Sequence, residues 1–143
     1  MKGKFILFLS LATLSLGAFA GEGFKEYSVN VLDMPQTLPV SKVSDMQNSL
    51  AAFAENVKSC ITTSGGWENF AIERNFSYSI NQTSVGCKLD MLLYSGAPLS
   101  CLLPKQVLND LASAINDRAD SGDVMGDFSE HERQVFFESG YCD

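Results

Sequence analysis

Four cysteines, Cys60, Cys87, Cys101 and Cys142, and one histidine, His131, are the residues of this 143-residue chain whose types most readily do chemistry. Four sulfurs can ligate a metal, run thiol exchange or close two disulfides. A structural zinc site needs close ligand pairs, and spacings of 27, 14 and 41 residues supply none. Redox catalysis needs a Cys-x-x-Cys pair, which the sequence lacks. Two disulfides are therefore expected from Cys60, Cys87, Cys101 and Cys142, with no metal and no cofactor. His131 stands between Glu130 and Glu132 in the first turn of an expected surface helix. With no partnering nucleophile marked, the sequence assigns no catalytic residue.

The run Asp117-Arg-Ala-Asp120-Ser-Gly-Asp123-Val-Met-Gly-Asp127 is rich in hard oxygen donors. Ala119, Ser121 and the missing glutamate depart from the alternating ligands of an EF-hand, so a solvated acidic loop is expected, with calcium as the alternative. No carboxylate pair is marked out for glycoside hydrolysis. Asn75-Phe-Ser77 and Asn81-Gln-Thr83 match the glycosylation acceptor pattern by chance composition.

The compartment decides how the cysteines are read. Lys2 and Lys4 precede an apolar run from Phe5 to Leu16, and Ala18-Phe-Ala20 is a cleavage pattern, so residues 1–20 read as a short, bacterial-type signal peptide. The mature domain is then a single unit over 21–143, periplasmic or secreted, where disulfides form and persist. No cysteine follows Ala20 to accept a lipid, and no later run approaches the ~18 apolar residues of a membrane span. The leader holds two of the ten basic residues and none of the seventeen acidic ones, so eight bases against seventeen acids leave −9 on the mature chain. That field repels nucleic acid and attracts a cationic partner.

Residues 21–40 are loosely structured by composition, interrupted by Pro35 and Pro39, with a short alternating strand over Tyr27–Val31. The clearest helix spans 44–62: Ser44 with Gln47 forms a capping-box pattern, Met46, Leu50, Phe53, Val57 and Ile61 form the stripe, and Gly65-Gly66 turns the chain. Alternation then predicts three strands. The first carries Phe70, Ile72, Phe76, Tyr78 and Ile80 inward, the second Val85, Cys87, Leu89, Met91 and Leu93, the third Leu99, Cys101 and Leu103. Arg74 interrupts the first near a sheet end. A helix follows Pro104 with the stripe Val107, Leu108, Leu111 and Ile115, closing by Gly122. Asp117 and Asp120 near its negative end call for a compensating partner. Ser129 with Glu132 caps a last short helix bearing Val135, Phe136 and Phe137, stopped by Gly140.

A register that places Cys87 opposite Cys101, with Leu92–Gly96 as a five-residue loop, predicts the pairing Cys87–Cys101 and leaves Cys60–Cys142. Chain entropy gives these crosslinks about 3 and about 4.5 kcal/mol.

The expected fold is thus α+β: a long N-terminal helix packed on a three-stranded antiparallel meander, followed by two C-terminal helices and stapled by two disulfides. The expected function is an exported, non-enzymatic binding protein, an inhibitor or immunity-type partner of a cationic exported protein. Trp67, Leu92 and Tyr94 are the candidate contacts, as large apolar groups at uncertain burial. The alternatives are an enzyme or hydrolase accessory using the 117–127 carboxylates, and an envelope assembly or adhesion component whose Tyr27–Val31 segment pairs with the sheet or leaves its edge open.

Overall fold

In a computed structural model, residues 23–29, 34–121 and 128–143 are described. The expected leader 1–20, Asn30 and Val31 of the expected first strand, and residues 122–127 of the acidic run lie outside the described residues. Two strands, β1 (Phe24–Val29) and β2 (Met34–Pro39), pair antiparallel and lead into α1 (Val40–Ser59). Four more, β3 (Thr63–Asn69), β4 (Arg74–Gln82), β5 (Cys87–Leu92) and β6 (Pro98–Leu103), form one antiparallel sheet in that order. Helices α2 (Lys105–Ser121) and α3 (Glu130–Arg133) follow, and α3 runs into a π-helical turn, Gln134–Glu138.

Helix α1 begins four residues before the expected Ser44 cap. Its first N–H, on Val40, donates to the Gly23 carbonyl at 2.7 Å, so a backbone acceptor beside β1 supplies the cap. Gln47, freed from capping, donates to the Ala119 carbonyl of α2 at 3.0 Å. Val43, Met46, Leu50, Phe53, Ala54 and Val57 are buried, whereas Ile61 lies beyond the helix and is half exposed. The stop is Cys60, at φ 46° and ψ 48°. Its N–H reaches Val57 and that of Ile61 reaches Asn56, the paired bonds of a Schellman motif.

Gly65-Gly66 is therefore not the turn that ends the helix but the middle of β3, an additional strand. A Cβ on Gly66 would stand 2.3 Å from the Phe76 carbonyl oxygen of β4, so only glycine admits this approach. The expected first strand is also broken: Phe70–Glu73 is a four-residue connection, and β4 begins at Arg74, which does lie at a sheet end. Asn69 makes this turn without Gly or Pro, accepting the Ala71 N–H on Oδ1 and the Ile72 N–H on its carbonyl, while Glu73 takes a positive φ of 51°. The Tyr27 segment neither joins the main sheet nor lines its edge; Tyr27 pairs with Gln36 of β2.

Along β4, β5 and β6, Phe76, Tyr78, Ile80, Cys87, Leu89, Met91, Leu99, Cys101 and Leu103 are buried, as the period of two requires. They share one core with the facing stripes of α1 and α2, which pack on each other. The outer face carries Ser77, Ser100 and the Lys88–Asp90 pair, with Leu92 and Leu102 exposed among them.

The register corrects the disulfides. Leu89, not Cys87, stands opposite Cys101, a slip of two residues that preserves the faces while separating the expected partners. The loop is 93–97, one residue later than expected, closed by Leu93 N–H to Ala97 carbonyl at 3.0 Å. Cys87 instead meets Cys60 at the C-terminus of α1, and Cys101 meets Cys142. Cys142 arrives there because the chain end runs along the outer edge of β6. The Leu102 N–H donates to the Tyr141 carbonyl at 2.9 Å and the Asp143 N–H to the Ser100 carbonyl at 2.8 Å. No described strand lies beyond β3 at the opposite edge.

Candidate functional site

Trp67 and Tyr94 come together although they lie on different elements. In β3 the Trp67 ring stacks on Phe76, with centroids 4.4 Å apart, and leans on Phe53 of α1 at 5.9 Å. Tyr94 in the 93–97 loop stands edge-on to Phe76 at 6.0 Å. The Trp67 indole Nε1–H donates to the Tyr94 hydroxyl at 2.6 Å. Leu92 does not join them. It is on the outer face of β5, between Ser77 and Pro98, and 44% exposed.

The facing wall comes from the C-terminal segment. Ser129 and Glu132 make both bonds of the expected capping box: the Glu132 N–H donates to Ser129 Oγ at 3.3 Å and the Ser129 N–H to Glu132 Oε2 at 2.8 Å. The fully buried Glu132 carboxylate also receives Arg118 of α2 through two bonds, Nε to Oε2 at 2.9 Å and Nη2 to Oε1 at 3.0 Å. This pair fixes α3 against the end of α2. Phe128 stacks near the Arg118 guanidinium at 5.9 Å and contacts Phe137 at 5.8 Å.

Between these walls lies a cavity of about 430 Å³, lined by the rings of Trp67, Phe76, Tyr94, Phe128 and Phe137 with Leu93, Arg118 and the polar groups of Ser95, Arg133 and Glu138. Buried Phe76 and Arg118 form its floor, and exposed Ser95, Arg133, Phe137 and Glu138 its mouth. That size and a mostly aromatic lining with a few placed polar groups are usual for a small-ligand site.

Burial pushes the Tyr94 hydroxyl above its ordinary value of 10.0, against the pull of the Trp67 N–H, the Arg118 charge and the Asn69 amide. It keeps its proton at neutral pH and is a donor. Asn69, beside it, is fully buried, and its Nδ2 has no acceptor among the described residues. Arg118 bonds Glu132 through Nε and Nη2, so Nη1 stands outside that pair.

His131 is exposed on α3. No three of the described His, Cys, Asp and Glu residues converge to hold a metal, while Asp123 and Asp127 of the acidic run lie outside the described residues. No described helix is long and apolar enough to cross a membrane. Sequence reasoning missed Arg118, yet the signal was present: the stripe Leu108, Leu111, Ile115 continues by three residues to Arg118, a charge on a buried face that demands a partner. Comparison with protein-family models, curated proteins and solved structures finds no match, so the reading of this site rests on its own geometry.

Proposed function

We propose that this is an exported, non-enzymatic binding protein and that the cavity beneath Trp67 and Tyr94 is its binding site. The observation that carries this is the convergence of five rings with the Tyr94 hydroxyl and the Arg118 guanidinium, from separate elements, on one cavity of about 430 Å³. A recess with a buried floor favours an inserted ligand group over a flat protein contact, and Leu92, on the other face, is not part of it. The two disulfides fit a compartment outside the cytosol and make the site rigid before binding.

Trp67 is the chain's one tryptophan, so fluorotryptophan labelling gives a single fluorine NMR signal inside the site. Size-separated fractions of envelope and culture fluid from producing cells are expected to shift that signal, and Phe137→Ala at the mouth to weaken the shift. A signal unmoved by every fraction overturns the reading. So does recovery of the bound molecule in chemically altered form, which would make the protein an enzyme.

A further inference from the structure

We infer that the cavity takes an uncharged, ring-bearing small molecule carrying an oxygen acceptor, such as an aryl ketone, with Tyr94 and Arg118 donating to that oxygen and the flat ring held between the Trp67 and Phe128–Phe137 walls. The inference rests on the binding-site reading above and adds the ligand's chemical class.

Two side-chain donors, Tyr94 and Arg118, stand on the inner lining. Tyr94 Oη already accepts from Trp67 at 2.6 Å, and its own proton meets no acceptor among the described residues. Arg118 is held by Glu132 through Nε and Nη2, which leaves Nη1 as a further donor on a side chain only 8% exposed. Asn69 Nδ2, without an acceptor among the described residues, lies next to Tyr94 but not on the cavity lining. A hydroxyl proton in a desolvated site is costly to leave without an acceptor, and a ligand oxygen beside Tyr94 would relieve that cost.

Charge selects against ions of both signs. The Arg118–Glu132 pair is balanced, and Arg133 and Glu138 at the mouth bring one charge of each sign. A ligand cation would meet the Arg118 and Arg133 guanidiniums, while the buried Glu132 carboxylate is already held by Arg118. A ligand carboxylate would compete with Glu132 for Arg118, pass Glu138, and enter against the net charge of −9 on the exported chain. A neutral carbonyl oxygen gains the hydrogen bonds without either conflict. The rings are compatible with this, since Trp67 and Tyr94 belong to one ring cluster and Phe128 and Phe137 to another, and both line the same space.

The test is equilibrium dialysis of the oxidised, exported protein against four probes of one shape: acetylnaphthalene, ethylnaphthalene, naphthoate and naphthylmethylammonium. Acetylnaphthalene is expected to bind at least tenfold more tightly than each of the others, and Tyr94→Phe to remove most of its advantage over ethylnaphthalene. If Tyr94→Phe does not fold, the ranking of the four probes on the wild-type protein decides alone. Equal binding of ketone and hydrocarbon overturns the ligand class while leaving the site standing, as does preference for either ion. No binding of any probe overturns the ligand class, and the fluorine signal at Trp67 then decides the broader reading separately.

Discussion

Glu132 is fully buried and holds Arg118 through two parallel hydrogen bonds of 2.9 and 3.0 Å, tying the last turn of α2 to the first turn of α3. A charge pair without water depends on both members. Glu132→Gln keeps the shape but leaves the guanidinium uncompensated, and is expected to destabilise the protein by about 3–5 kcal/mol in urea unfolding. Replacing both residues together, Arg118→Met with Glu132→Leu, should cost clearly less than the single change; an equal or larger loss would show that the pair is not the source.

Peptide mapping without reduction should recover Cys60 linked to Cys87 and Cys101 linked to Cys142. With 27 and 41 residues between partners, chain entropy assigns the crosslinks about 3.6 and about 3.9 kcal/mol, so reduction is expected to lower the unfolding midpoint sharply. A peptide joining Cys87 to Cys101 would contradict the register of β5 and β6.

Loss of the Cys101–Cys142 bridge should also reach the cavity, because the segment it anchors carries Phe137, Arg133 and Glu138. Cys101→Ser with Cys142→Ser is expected to shift the Trp67 emission toward that of a solvated indole. Cys60→Ser with Cys87→Ser, at the far side of the sheet, should change emission less at equal folded fraction.

The glycines separate two causes of strain. Gly66→Ala forces a Cβ to within 2.3 Å of a β4 carbonyl oxygen and is expected to cost about 1–3 kcal/mol or more. Gly96→Ala meets nothing within 4 Å and has only its φ of 81° against it, so about 1 kcal/mol is expected from thermal unfolding.

Tyr94 sets an alkaline limit. Its folded-state value lies above the unfolded 10.0, so above about pH 10 the unfolded chain releases a proton that the folded chain retains, and stability falls with rising pH. The wild-type urea midpoint should therefore decline more steeply above pH 10 than that of Tyr94→Phe; parallel curves would refute the burial of this hydroxyl.

Where one residue type carried the signal, the sequence was legible. The alternation of Leu89, Met91, Leu99 and Leu103 placed β5 and β6 on the correct face, and Ser129 with Glu132 located α3. Where structure depends on partners distant in sequence, it was not. The cap on α1 comes from Gly23, the turn before β4 from Asn69 without Gly or Pro, and the disulfides from a register that alternation fixes only to within two residues. Of the candidate site, Trp67 and Tyr94 were found as separate aromatics; their joining through Phe76 and the Arg118 floor required the folded sheet.

The tail Tyr141–Asp143, bridged to β6 and crosslinked there through Cys142, reduces that edge to three residues, while β3 is the longer described edge of this sheet. Polymerisation by neighbouring sheets needs a vacant flank at each end of every copy. Copies meeting flank to flank through β3 would have only that short, crosslinked edge to offer a third copy, so growth into fibrils through this sheet is disfavoured.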